Sequence, residues 1–414
     1  MKNLQRRVTA LAAALSVTAA PDVRAFEAID SIPWPSIGAF PAYPREEDRP
    51  IDAWVHAGVM HDSNVLRTQT DERSDNIARL GGGMTIDQRV AGRQRVRLDA
   101  RADYYKYDKS TTLDHWAYAL LGDWLWEIGN NLSGELLAGY DQRQVDMGET
   151  LTERLDLVTT KRAAATAAYL ISPRFRIRGA LEGSDTDREQ NRTTNVRSTG
   201  VRVGADYVSP LGNTIGLEYR DTKGVAPDAQ FVPELGRFVD NDFHERELSI
   251  VSSYALGTAL RSSIRLGHTK RDYTDVPERG FNDNTGVVTV DWLPGSKTVL
   301  RFEAYRIPRS VADVSASHEL QKGAAFGPRW AMTSKTVLSA RLLHERRTFS
   351  GDPGVVAGAT KRDEIYRIAR FAFGWEPQRF WQVGVALDVG ERESNIDGRD
   401  YQYNAVMANL AWVW

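Results

Sequence analysis

The chain has 414 residues, no cysteine and a formal net charge of −2. Without cysteine there are no disulfides, thiolate metal sites or thiol nucleophiles, so an exported fold must be held by its own packing or closure. The near-neutral balance gives no basis for nucleic-acid binding. No stretch after the N-terminal segment is long and apolar enough for a membrane helix, but a barrel hides its apolar residues by alternation and is not excluded.

Residues 1–25 read as a signal peptide. Lys2, Arg6 and Arg7 precede an apolar run from Val8 to Ala20, then Val23-Arg24-Ala25. This basic, apolar, small-residue order predicts export and cleavage after Ala25. Residues 26–50 hold five prolines (33, 35, 41, 44 and 50). They argue against helix and central strand, and for an extended periplasmic leader. Such a leader could dock a periplasmic export partner or fill part of a lumen.

From 51 to 414 the period becomes two. In RVRLDARADYY (95–105), Val96, Leu98, Ala100, Ala102 and Tyr104 share one face. Arg95, Arg97, Asp99, Arg101, Asp103 and Tyr105 share the other. RFRIRGALEG repeats the design, with Phe175, Ile177 and Leu181 facing away from Arg174, Arg176, Arg178 and Glu182. Ile215, Leu217 and Tyr219 oppose Glu218 and Arg220. Leu300, Phe302 and Ala304 oppose Arg301, Glu303 and Tyr305. Trp381, Val383, Val385, Leu387 and Val389 oppose Gln382 and Asp388.

The connections alternate too. Eight tight breaks occur at 90–93, 128–131, 172–174, 209–213, 256–259, 293–296, 332–334 and 376–379. Nine longer polar stretches fall at 61–75, 108–113, 146–153, 185–194, 221–244, 272–282, 307–315, 348–360 and 394–399. Seventeen connections predict an all-β, up-and-down antiparallel transmembrane barrel of eighteen strands over 51–414, with sixteen as the other count. Both termini then lie on the tight-turn, periplasmic side. The competing architecture is a soluble β-sandwich, which alternates with the opposite orientation of faces. Long strands, an unbroken meander and strand-end aromatics favour the membrane.

In lipid an arginine at the midplane costs about 2–4 kcal/mol, so the charged faces must point inward. The lumen then gathers Arg95, Arg97, Arg101, Arg174, Arg176, Arg178, Arg202, Arg261, Arg265, Arg301 and Arg341. Interleaved acids include Asp99, Asp103, Glu135, Asp141, Glu182, Asp206, Glu218, Asp291, Glu303 and Asp388. Two readings stand: cross-strand ion pairs that stiffen a wet wall, or a track for anionic saccharides built from guanidinium forks and rings.

Other signals are weaker. LGGGMT (80–85) lacks the lysine and helix of a phosphate loop and reads as close wall packing. The seven histidines show no ligand spacing, so neither metal nor cofactor is expected. No nucleophile elbow occurs, and the protein is not expected to be an enzyme. The C-terminal face Val406, Ala408, Leu410, Trp412 and Trp414 is similar to the signal by which bacterial barrels engage their assembly machinery, with Asn409 where glycine is usual.

Two stretches carry a family resemblance. HDSNVLR (61–67) resembles a D-x-N-V-x-R loop through Asp62, Asn64, Val65 and Arg67. Residues 100–136 resemble a tyrosine-rich block through Tyr105, Tyr107, Leu113, Ala117, Tyr118 and Trp124. Together they resemble the EpsL-type outer-membrane proteins of exopolysaccharide clusters, within a wider group of β-barrel porins. The resemblance implies an outer-membrane location, contact with membrane lipid and with an anionic or neutral polysaccharide, and a part in polymer export or assembly. It brings no catalytic residue. The alternative is uptake of small anionic solutes such as sugar acids; a barrel enzyme that modifies polymer comes third.

Overall fold

A computed structural model describes residues 50–149, 154–232, 235–313, 316–350 and 361–414. The expected signal peptide, and the leader up to residue 49, lie outside the described residues. Twenty strands follow in chain order. The first nine are β1 (Ile51–Asp62), β2 (Asp75–Ala91), β3 (Gln94–Tyr107), β4 (His115–Ile128), β5 (Leu132–Gln144), β6 (Leu157–Ser172), β7 (Phe175–Arg188), β8 (Val196–Val208) and β9 (Thr214–Val225). A small hairpin, β10 (Gln230–Val232) and β11 (Arg237–Val239), stands apart in the next loop. The wall resumes with β12 (Phe243–Leu256), β13 (Leu260–Tyr273), β14 (Phe281–Gly295), β15 (Thr298–Asp313) and β16 (Ala316–Ala331). It ends with β17 (Thr336–Ser350), β18 (Asp363–Gln378), β19 (Trp381–Ser394) and β20 (Tyr401–Val413).

Without the hairpin, eighteen strands form one antiparallel sheet in which each pairs with its chain neighbours. β1 closes the ring on β20, from Trp54 opposite Val413 to Asp62 opposite Ala405. Closure is obligatory in hydrocarbon, where an unpaired backbone donor costs several kcal/mol. All eight tight turns lie at one rim, as expected. At the other rim one expected loop is corrected: 307–315 belongs largely to β15, which runs to Asp313. Pro308 is tolerated there, opposite Leu320.

The faces are oriented as the cost of buried charge demands. Leu80, Leu181, Val203, Leu217, Ile250 and Leu266 are exposed on the outside, where the solvent is lipid. Trp124, Trp292, Trp330 and Trp375 mark the outer face toward the turn rim, and Trp116 stacks on Tyr118 toward the loop rim. Asp103, Arg176, Glu218, Arg265 and Asp388 are buried on the inside. This outside-apolar arrangement excludes the sandwich. The glycine run of β2 serves packing: a Cβ on Gly81 would collide with Asp103, and one on Gly83 with the Trp54 ring.

A spin label at Leu98 or Leu300 is expected to relax with lipid-soluble oxygen, and one at Asp99 with a water-soluble reagent. Leu181→Arg should lower barrel stability by about 2–4 kcal/mol in bilayer unfolding measurements.

Candidate functional site

The lumen is narrowed by two inward-folded loops, and both are held by residues whose types suit the task. The β1–β2 loop is clasped at its start. Arg67 places its fork on Asp62 (2.8 and 2.9 Å), and the Asn64 amide N–H donates to Asp62 Oδ1 at 2.9 Å. The Asn64 side chain donates to the carbonyls of Thr68 (2.8 Å) and Gln402 (3.0 Å). The guanidinium of Arg67 lies 3.7 Å from the Tyr403 ring centre. Burial alone would depress the Arg67 pKa, but the Asp62 charge and hydrogen bonds hold it above the usual arginine range. Val65 and Leu66 then pack with Met60, Ile77, Tyr107, Leu113 and Met407 in an apolar cluster inside the ring.

Beyond β5, residues 146–149 reach across the lumen. Met147 packs on that same cluster. The carbonyl of Gly148 accepts from Arg392 of β19. Glu149 pairs at 3.0 Å with Arg347 of β17, half-way round the ring from β6. Arg347 is itself fixed by Glu345 at 2.6 Å and by the Tyr366 ring at 4.1 Å.

Between these loops and the wall lies a cavity of about 320 Å³, lined in part by Arg101, Tyr105, Arg143, Arg341, Arg370 and Asp388. Three of its arginines, Arg101, Arg143 and Arg341, are more exposed than most of those farther round the barrel. On β7–β13, Arg176 and Arg178 share Asp206, while Arg178, Arg202 and Arg265 converge on Glu218. Arg265 also meets Glu247, and Arg220 bridges Glu182 and Glu247. There the side chains of Arg178, Arg202 and Arg265 keep 12, 10 and 10 % exposure. Those of Arg101, Arg143 and Arg341 keep 41, 39 and 36 %. The first set is drawn into a shared ladder, whereas Arg220 of the same sector keeps 35 % exposure. The second set keeps exposed guanidinium faces.

Arg101 is loosely held because its partner Asp103 is already engaged by His56 (2.7 Å) and Arg79 (3.0 Å). Arg143 has a slack 3.6 Å approach to Asp141. Arg341 meets Glu303 at 2.8 Å with one fork nitrogen. Tyrosines 105, 107, 366, 401 and 403 also line the cavity, and Tyr105 stacks on His115 at 4.8 Å. The loop acids Asp146 and Glu149 line it together with Arg341 and Arg370. Mixed charge beside aromatic faces suits a small polyhydroxylated acid. Among the described residues, no group of three or more histidines and carboxylates could hold a metal.

Most residues expected to line the lumen do so. Arg95 and Arg97 share Asp87 toward the turn rim, Asp99 accepts from Thr85 at 2.7 Å, and Arg301 forks onto Asp291. Arg261 is on the same face, opposite Asp291. Tyr305 donates to Glu345, and Asp388 accepts from Arg370. Arg174 is corrected: it falls in the β6–β7 turn and donates at 3.3 Å to Tyr207, an outward residue. The strand has already turned there, so alternation no longer governs it. The residues behind the family resemblance divide. Asp62, Asn64, Val65, Arg67, Tyr107 and Leu113 build the inward fold, Ala117 lines the cavity, and Tyr118 and Trp124 are exposed on the outer face. Sequence reasoning missed Arg143, Arg347 and Arg370, although β18 alternates Glu364, Tyr366, Ile368 and Arg370 inward and this signal was legible.

No protein-family model matches the sequence, and no curated protein does. Solved structures share the architecture at low identity. The OccK2 (OpdF) structure of Pseudomonas aeruginosa, solved with glucuronate, is 11% identical, covering 89% of this chain and 98% of its own, with a TM-score of 0.49. OpdK of the same organism is 8% identical, covering 88% and 99%, with a TM-score of 0.48. The alcaligin receptor FauA of Bordetella pertussis is 11% identical, covering 87% and 76%, with a TM-score of 0.41. This chain is an outer-membrane β-barrel. Its closed wall, apolar belt and unequal rims are those of a strand barrel that spans this membrane.

Removing the far anchors of the crossing segment with Arg347→Ala and Arg392→Ala should leave the wall intact. Single-channel recordings are expected to show a larger and noisier conductance than the parent barrel.

Proposed function

We propose that the barrel is a passive, non-catalytic channel for uptake of small anionic solutes, sugar acids being the class its chemistry suits. The observation that carries this reading is the set of half-exposed forks, Arg101, Arg143 and Arg341, beside a cavity of about 320 Å³ beneath a crossing loop. That volume is at the small end of ligand sites, roughly 300–1,000 Å³. A carboxylate takes a guanidinium fork, hydroxyls take the neighbouring acids, and a sugar face rests on tyrosine. Export of an extracellular polysaccharide, the role implied by the EpsL-type resemblance, needs a continuous wide path. The inward loops work against threading a polymer.

Reconstituted in planar bilayers, the full barrel should prefer anions, and a hexuronate should block its current saturably where a neutral hexose does not. Arg101→Gln with Arg341→Gln should weaken that block about tenfold, the loss of one charge-assisted contact or more. Cation preference without hexuronate block would sink the uptake reading. A deletion strain that traps polymer in the periplasm would instead restore export.

A further inference from the structure

The outer wall carries one feature that a plain lipid-facing belt does not need. On the outward faces of β14–β17, Val288, Phe302, Ala304, Ala324, Phe326 and Leu342 frame an open groove of about 520 Å³. Its depth comes from Ala304 and Ala324, which are register partners, and the rings of Phe302 and Phe326 stand 4.9 Å apart beside them. One outward position nearer the loop rim, three cations lie in direct register across adjacent strands: Arg306 on β15, Lys322 on β16 and Arg346 on β17. Like charges placed opposite one another destabilise a sheet. Asp283 offsets Arg306 at 2.6 Å, and Asp363 offsets Arg346 at 2.6 Å. Lys322, exposed between them, has no ion-pair partner among the described residues.

We propose that this face holds one phosphorylated lipid of the outer leaflet. Its phosphate sits on Lys322 between the two guanidinium groups, and an acyl chain lies in the groove beneath. The ammonium supplies a compact charge and the arginines supply fork donors, the combination that suits a phosphate. Long cationic side chains at the edge of the apolar belt reach the headgroup level. The acids nearest the row are already engaged by Arg306 and Arg346, which leaves Lys322 open to a phosphate from the membrane. A second copy of the chain would bring this same basic row and would meet it less well.

Native mass spectrometry of the full barrel in mild detergent tests the assignment, with bisphosphorylated lipid A as probe and its dephosphorylated form as comparison. The expected result is one retained copy of the phosphorylated lipid per barrel and weak retention of the other. Arg306→Gln with Lys322→Gln should reduce retention about tenfold. Ala324→Leu, which fills the groove, should do likewise while heat-modifiable migration shows a folded barrel. Arg246→Gln, an outward cation on β12 paired with Asp272, should change nothing. Equal retention of both lipids, or variants that bind like the parent, overturns the proposal. So does an Ala324→Leu barrel that loses self-association and keeps its lipid, since a second copy would then own the groove.

Discussion

Every part of this molecule answers to one constraint: a peptide group in hydrocarbon must find its hydrogen bond inside the protein. Pairing β1 with β20 satisfies it by leaving no edge. Closure then divides the residues of each strand between two solvents. The outer set meets acyl chains and is apolar; the inner set meets water and may carry charge. Without that seam the arginine-rich strands would have no tolerable orientation.

Charge inside the ring is put to two uses. From β7 to β13 it is consumed internally, with Glu218 and Asp206 each serving several guanidinium groups. Breaking such a network would strand a buried ion, so the ladder is a structural element. Around the inward loops pairing is incomplete, and Arg101, Arg143 and Arg341 keep open faces. Tightly paired and half-exposed arginines thus predominate in different sectors of the circumference. The cross-strand pairing read from the sequence is what the β7–β13 sector shows, and the binding track is the reading proposed for the sector around the inward loops.

The loops decide the bore. The Asp62–Asn64–Arg67 clasp turns the first loop inward, and the apolar cluster beneath it receives Met147 of the crossing segment. Arg347 and Arg392 catch that segment from the far wall. Most of the residues behind the family resemblance therefore act as architecture of the constriction. The outward Tyr118 and Trp124 belong to the membrane contact of the wall.

Strand number, the tight turns and the inward face of β3, β7, β9 and β19 could be read from alternation, because a period of two is a local property of the chain. Local rules failed where they stop applying: Arg174 lies in a turn, and 307–315 continues as strand because its neighbours pair with it. Arg370 is legible in the β18 alternation. What the sequence by itself determined is which residues face lipid and which face water. The tertiary structure alone decided which arginines keep an exposed face, because that depends on how neighbouring strands share their carboxylates. It alone decided where the lumen narrows, because Glu149 and Arg347 are 198 positions apart and meet only when the ring has closed.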